Sequence, residues 1–473
     1  MNDIDLAKKI KKANGNLYLV GGAVRDEIMN IVPEDKDYCI TGLSKDEFLD
    51  IFPNAKLIGK DFSVFLMDKS QFALARSERK IGKGYKGFEI NTSKNISIEQ
   101  DLKRRDITIN AIAKEVLTGK IIDPYGGVED IKNKKIRHVS DAFLEDPLRV
   151  YRVARFAAKL NFNVEKETLD MMRRLKDELI FLTPERIFEE LKKALQTSNP
   201  SIFFRTLKDA NILDIHFKEI YDLIGIPQPE IYHPEGDVFN HTMIVLDKVS
   251  QKTDNVSVRF AALVHDLGKA KTPKNILPQH IGHEENGIEL IENICNRLKL
   301  PNVWKKRGIE VARYHMKAGI FSNMKPFKKA KFINIISKTS IGLENLQYIV
   351  DADDMLDRSK SNFAECGKYV LNKVNGETLI RNGITVQNVG KDEFLHKLYE
   401  EQAKIISKYE SKSVKENNMI KNENVKRMID QLGNITQEEI DEENSYKRLK
   451  EYEPIDLLQA LVETDDVDKK EEE

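Results

Sequence analysis

Cysteine, net charge and long apolar runs are all scarce in this chain. Its three cysteines, Cys39, Cys295 and Cys366, lie far apart in 473 residues and form no Cys-x-x-Cys pair. That excludes a disulfide framework and a thiolate zinc site. No stretch approaches the ~18 apolar residues that span a bilayer, so no membrane association is expected. The opening "MNDIDLAKKIKKANGN" holds no apolar signal core, and the expected location is cytoplasmic. Lys and Arg number 76 against 77 Asp and Glu, a net charge of −1. The whole chain is therefore not a basic nucleic-acid binder, and any site for a polyanion must come from local clustering of cations.

Hydrophobic residues make up 40% and charged residues 32%, the balance of a globular protein long enough for about three domains. Residues 16 to about 139 read as short strands meeting glycine turns: "NLYLVGG", "KDYCI", "FSVFLM" and "KIIDPYGG". From Glu145 the pattern turns helical. "EDPLRVYRVARFAAKL" spaces Leu148, Tyr151, Ala154 and Ala158 along one helix face. "TPERIFEELKKAL" starts a helix at Thr183-Pro184, with Arg186 where a full capping box would carry an acid. Helical periodicity continues to about Tyr409, interrupted by a boundary-like stretch from Leu223 to Asp237. Beyond Ser411 the chain is polar, with a capping box at Thr436 and the acidic end "DDVDKKEEE". A partly helical, partly disordered extension is expected there. The expected fold class is α+β: a mixed-sheet head followed by mostly helical parts.

Two constellations carry chemistry. The first is "YLVGGAVRDEIMNIVPEDKDYCI". Side chains at i and i+2 of a strand share a face, so Asp35 and Asp37 are expected to point together. Two such carboxylates suit a pair of magnesium ions, which stabilise the attacking and leaving oxygens of a phosphoryl displacement. Gly21-Gly22 lets backbone amides approach a triphosphate, and Arg25 follows one turn later. Further on, Asp146 and Arg149 stand i, i+3 near a helix start and are expected to be surface neighbours. An acid accepts from a base amino group and a guanidinium donates to ring acceptors. Such a pair can read C and A, whereas the keto group of G or U would leave the buried acid unpaired.

The second constellation is histidine. Six of nine histidines fall between His233 and His315. "FNHTMIVL", "AALVHDLGK", "PQHIGHEENG", "ARYHMK" and "VDADDMLDR" supply His241, His265-Asp266, His280, His283, His315 and the aspartates 351 to 354. Histidine and aspartate ligands suit a transition metal with open positions, such as nickel or manganese.

The ordered motifs "GGAVRD", "DKD", "ALARSER", "DLKRRDITINAIA", "IIDPYGG" and "EDPLRVYRVARF" resemble the class II tRNA nucleotidyltransferases and their poly(A) polymerase relatives. The resemblance implies a nucleotidyltransferase fold at residues 1–139, with Asp35 and Asp37 as catalytic ligands of magnesium. It implies Gly22 and Arg25 at the triphosphate and Arg105 near the nucleotide sugar and phosphates. It makes Asp146 and Arg149 a protein template for CTP and ATP, with Arg152 and Arg155 as nucleotide-binding arginines. Residues 140–225 would form a helical neck and body. The histidine set resembles an HD phosphohydrolase domain, 226–360, which implies His241, His265, Asp266 and a late aspartate, Asp353 by its place in "DAD", as metal ligands. His265 and Asp266 would also be catalytic there. A helical region, 361–410, and the charged extension, 411–473, would follow.

Head and HD segment together resemble the bacterial multifunctional CCA-adding proteins. The expected substrates are tRNA, CTP and ATP. The expected activities are CCA addition and phosphatase, 2'-nucleotidase and 2',3'-cyclic phosphodiesterase chemistry. The expected state is monomer or homodimer. The basic strips "RRLK" at Arg173 and "KPFKKAKF" at Lys325 are candidate tRNA contacts, and "RKIGKGYKGFEI", Arg79 to Ile90, is a candidate mobile loop. Three alternatives stay open: a poly(A) polymerase, a partial CC- or A-adding enzyme, and an HD phosphohydrolase whose head only binds RNA.

Overall fold

A computed structural model of the chain describes residues 2–58, 64–67, 70–80, 88–91, 93–356 and 362–432. The segment 81–87 within the candidate mobile loop and the chain beyond 432, with the capping box at Thr436 and the acidic end, lie outside the described residues.

Among the described residues the chain forms eleven short strands, ten of them in the head: β1 Asn16–Val20, β2 Asp37–Thr41, β3 Lys56–Ile58, β4 Val64–Met67, β5 Ser70–Leu74, β6 Ser77–Lys80, β7 Phe88–Asn91, β8 Ala113–Glu115, β9 Ile121–Ile122, β10 Lys135–Ile136 and, after it, β11 Asn163–Val164. Seven of them form one sheet in the order β3-β4-β5-β2-β1-β8-β9. β2 and β5 run parallel, and the other neighbours are antiparallel. The sheet is mixed, as expected.

Alternation along the strands divides their side chains between two cores. Leu17, Leu19, Tyr38 and Ile40 join one apolar cluster with Val24, Phe48 and Phe72. Tyr18, Val20 and Cys39 join the other, with Ile98, Leu102 and Ala113. Tyr38 stacks on Phe72 with centroids 4.9 Å apart. The parity that sends Cys39 toward Leu102 sends Asp37 the same way, toward the arginines that follow helix Ile98–Lys103.

Beyond Asp146 the chain is helical. Helix Arg149–Leu160 packs on Pro184–Leu195 and Ser201–Asp209. Tyr151, Phe203, Phe204 and Phe217 interlock edge-to-face and stacked around it. The Tyr151 hydroxyl bonds His216 Nδ1 at 2.6 Å, which satisfies a phenol with no exposure. Helices Val238–Ser250, Val256–Val264, His283–Arg297, Asn302–Gly319 and Gly342–Asp353 surround the histidines.

Chain contacts divide the molecule into Met1–Asn323 with Ile335–Phe363, and Met324–Asn334 with Ala364 onward. Head, neck and histidine cluster all lie in the first unit. In the second, the long helix Lys391–Leu432 carries Gln402, fully buried, which accepts from Asn334 at 2.5 Å and donates to the Val374 carbonyl at 2.9 Å. This helix runs past Ser411 into the polar extension.

Candidate functional site

A cavity of about 850 Å³ lies in the head where β1 ends, β2 begins and helix Arg149–Leu160 starts. Antiparallel register sets Val20 opposite Asp37, so the turn at Gly21-Gly22 faces the acid pair. Gly21 holds φ +69°, and a Cβ there would stand 2.9 Å from an Arg105 guanidinium nitrogen. The positive φ favours glycine there, and the absent Cβ lets the Arg105 guanidinium come close. Asp35 and Asp37 both line this cavity. Asp35 lies in a bend before β2 rather than on the strand, so the shared orientation comes from the turn and not from i, i+2 alternation.

Electrostatics in the cavity are uneven. Ten Lys and Arg line it against six Asp and Glu, an excess that suits a polyphosphate. Burial pushes the Asp37 carboxyl up, Arg105 pulls it back down and the Asp35 charge pushes it up again. A carboxylate so placed gains from a nearby cation. The donor set of two carboxylates beside room for a phosphate fits magnesium.

The arginines are held in place rather than left loose. Arg25, 2% exposed, donates to Asp26 at 2.7 and 2.9 Å and to the Asn110 side chain at 2.7 Å. Arg152 donates to Asp106 at 2.7 Å and Arg155 to Glu190 at 2.5 Å. Burial opposes ionisation of Asp106, yet Arg152 and Arg149 bring it down to about 2. All three guanidinium groups surround the Phe156 ring, at 5.4 Å for Arg25, 5.5 Å for Arg152 and 4.1 Å for Arg155. The aromatic face adds attraction and fixes their planes.

Asp146 and Arg149 both line the cavity, and each is fixed by contacts made outside the pair. Asp146 precedes the helix in extended conformation. Its carboxylate accepts from the Leu148 amide at 3.0 Å and from Arg186 at 3.0 and 3.4 Å. Arg149 donates to the carbonyls of Ala142 and Arg104, at 2.7 and 2.6 Å. Arg186, Glu190 and Asp106 are partners that local sequence reading missed. Arg186 was visible only as the odd residue of a capping box, and its partner stands forty positions earlier in the chain.

The second cluster forms around Asp266. His241, His265, Asp266 and Asp353 place one ligand atom each within 4.8 Å of the others. His241 Nε2 is 2.8 Å from Asp353 Oδ1, and His265 Nε2 is 3.2 Å from Asp266 Oδ2. Each ring is aimed by its other nitrogen. His241 Nδ1 donates to Glu235 at 2.6 Å and His265 Nδ1 to the Ala262 carbonyl at 2.7 Å, the outer contacts that metal-binding imidazoles use. Asp353 is the last residue of its helix, whereas the Asp351 side chain accepts from Gln347. His280 points elsewhere, to Thr272 and the Pro227 carbonyl.

The buried His265 Nε2 and Asp266 Oδ1 make no well-aligned hydrogen bond. Lys269 brings its ammonium 2.6 Å from Asp266 Oδ2. Burial disfavours charge on His265, yet Asp266 beside it pushes the imidazole up to about 10. Asp266 and Asp353 lie well below the usual carboxylate range: burial opposes this, but the neighbouring histidines and, for Asp266, Lys269 outweigh it. The set holds excess negative potential with orphaned donor atoms, and it fits a divalent metal.

Comparison with known proteins agrees with this layout. Residues 17–137 match the family described as "Poly A polymerase head domain". Residues 161–223 match "Probable RNA and SrmB- binding site of polymerase A", and residues 238–340 match "HD domain". A multifunctional CCA protein of Mannheimia succiniciproducens is 47% identical over 329 residues, 67% of this chain and 78% of its own. One from Shewanella denitrificans is 48% identical over 306 residues, 63% and 73% of the two chains. This chain belongs to the multifunctional CCA proteins. Membership places it among the CCA-adding nucleotidyltransferases. A CCA-adding enzyme in an apo form shares the fold at TM-score 0.57 and 22% identity, covering 84% of this chain and 91% of its own. A Thermotoga maritima CCA-adding enzyme complexed with tRNA does so at 0.55 and 20%, covering 85% and 93%. Among the described residues no helix is long and apolar enough to cross a membrane.

Proposed function

We propose that this multifunctional CCA protein adds or repairs the 3'-terminal CCA of tRNA from CTP and ATP without a nucleic-acid template, and that its HD site hydrolyses phosphoesters at RNA 3' ends. The observation that carries the first part is the joint placement of Asp35 and Asp37 in one cavity with ten cationic side chains. In this reading the acceptor 3'-oxygen bonds to the α-phosphorus while the bond to the pyrophosphate oxygen breaks. Magnesium ions bound by the two carboxylates would neutralise charge at the entering and leaving oxygens. Arg25, Arg105, Arg152 and Arg155 bind the phosphates, and their fixed partners keep the site organised before the nucleotide arrives. Asp146 and Arg149 read the base edge, with Asp146 held as an acceptor facing an amino group. Gly22 leaves room beside Arg25.

The HD reading is supported by the convergence of His241, His265, Asp266 and Asp353. A divalent ion held by these residues would polarise a phosphoryl oxygen, in keeping with 2',3'-cyclic phosphodiesterase, 2'-nucleotidase or phosphatase activity.

One experiment tests both parts. tRNA transcripts ending at the discriminator base, at C and at CC are incubated with CTP and ATP and the products sequenced. A second set carries cyclic phosphate ends. Asp35→Ala should abolish addition and spare hydrolysis, and His265→Ala should do the reverse. Adenylate ladders in place of CCA would identify a poly(A) polymerase and refute the first part.

A further inference from the structure

Two of the ten cations that line the cavity of the head differ from the rest. The eight arginines each have a bonded or electrostatic partner. Lys159 and Lys193 are exposed and have no hydrogen-bond or ion-pair partner among the described residues. A lysine ammonium is a point charge on a flexible stem, whereas an arginine fork holds one geometry. Fixed arginines suit a ligand held still, and free lysines suit one that moves.

Their place in the fold indicates which ligand. Lys159 stands on helix Arg149–Leu160 in a row with Arg152 and Arg155, at i, i+3 and i+7. Lys193 stands on helix Pro184–Leu195 in a row with Arg186 and Glu190, at i, i+4 and i+7. Arg186 meets Asp146, just before the first helix, at 3.0 Å, and Glu190 meets Arg155 within it at 2.5 Å. The contacts advance together along both helices. Lys159 and Lys193 therefore both lie about one turn, roughly 5 Å, beyond the Arg155–Glu190 bond, toward the same end.

This orders the groups of the cavity. The proposed base readers Asp146 and Arg149 come first, Arg152 and Arg155 next, and the two lysines last. Arg25 and Arg155 share the Phe156 ring, which sets the proposed triphosphate site beside it. Lys159 stands three residues past that ring. In nucleotidyl transfer the acceptor 3'-oxygen bonds to the α-phosphorus and its proton passes to solvent. The α–β bridging oxygen departs with the β- and γ-phosphates as pyrophosphate. Entering and leaving oxygens lie roughly in line, so the RNA end and the pyrophosphate occupy opposite sides of the α-phosphorus.

We infer that Lys159 and Lys193 form a product site, which takes pyrophosphate as it leaves the arginines and leads it out of the cavity. Fixed guanidinium groups alone would retain a polyanion, and two exposed ammoniums beyond them give it a position on the way to solvent. The inference rests on the nucleotide-addition reading above.

The full chain is compared with a Lys159→Gln, Lys193→Gln double variant on a tRNA transcript ending at C, with CTP and added pyrophosphate. The inhibition constant for pyrophosphate should rise by about tenfold, roughly threefold for each exposed ammonium, and pyrophosphorolysis of the finished end should slow to match. KM for CTP, KM for tRNA and the single-turnover rate of incorporation should not change. Lys159→Arg with Lys193→Arg should restore most of the affinity for pyrophosphate. An unchanged inhibition constant overturns the inference. A matched rise in KM for CTP also overturns it, since the lysines then hold the γ-phosphate of the substrate. So does a rise in KM for tRNA alone, which assigns them to the RNA backbone. A parent chain that incorporates no CTP refutes the reading of the head and the inference with it.

Discussion

Gly268 offers a sharp test of how the HD site is held together. It follows the His265-Asp266 pair in "HDLGK", and helix His283–Arg297 lies directly against it. A Cβ at this position would stand 1.9 Å from the His283 carbonyl oxygen and 2.6 Å from the Gly287 nitrogen. Ordinary carbon contacts need about 3.5 Å, so Gly268→Ala must part the two segments by roughly 1.5 Å. Metal ligands tolerate about 0.2 Å, and Asp266, proposed above as a ligand, stands two residues before this contact. Overpacking of this kind costs about 1–3 kcal/mol, visible as a melting temperature lower by several degrees. A displacement of about 1 Å at a reacting centre costs about 10²-fold in rate. Gly268→Ala should therefore lower hydrolysis of a 2',3'-cyclic phosphate end by about that factor while CTP and ATP incorporation persists. Circular dichroism and thermal melting on the same preparation establish that the variant is folded. Wild-type melting with wild-type hydrolysis would refute the packing argument.

Three further outcomes are expected. Asp37→Asn should reduce nucleotide addition by about 10²-fold or more. Because burial and the Asp35 charge outweigh Arg105 and push the Asp37 carboxyl up, the acid limb of kcat/KM in the parent should lie above the ordinary carboxylate range and move to lower pH when magnesium is raised; a limb indifferent to magnesium counts against the pair as ligands. Arg186→Ala frees the Asp146 carboxylate, so UTP misincorporation should rise by about tenfold, roughly 1.4 kcal/mol of selectivity, with Arg186→Lys restoring part of it; unchanged fidelity by sequencing would remove Arg186 from base selection. His216, lowered by burial and then by Arg297 to about 4, binds its proton more weakly when folded than its ordinary 6.5. Stability is then complete above pH 6.5 and falls as the unfolded chain takes up the proton first, by about 3 kcal/mol down to pH 4. Denaturant unfolding of His216→Gln should lack this component, and parallel pH slopes would contradict it.

Much of this was readable locally. Turn glycines, strand alternation and helical periodicity act over a few residues, so Gly21, Arg25, Asp37 and the helix at Arg149 could be placed from the chain alone. Three features could not. Asp35 was expected on β2 and lies in the bend before it, because the strand ladder begins at the Val20–Asp37 pairing. Asp146 is met by a guanidinium from helix Pro184–Leu195, forty positions on, which no local spacing indicates. Glu235 shows no motif of its own, and only the packing of its loop against helix Val238–Ser250 sets it on His241.

The histidine cluster divides the two kinds of information most clearly. The chain by itself determined which residues could bind metal, since histidine and aspartate chemistry is carried by residue type and order. It could not decide which atoms meet, since His241, the His265-Asp266 pair and Asp353 come from separate segments of the chain. Those distances follow from helix packing, a sum of many weak contacts among residues remote in sequence. That packing alone brought the four ligand atoms together.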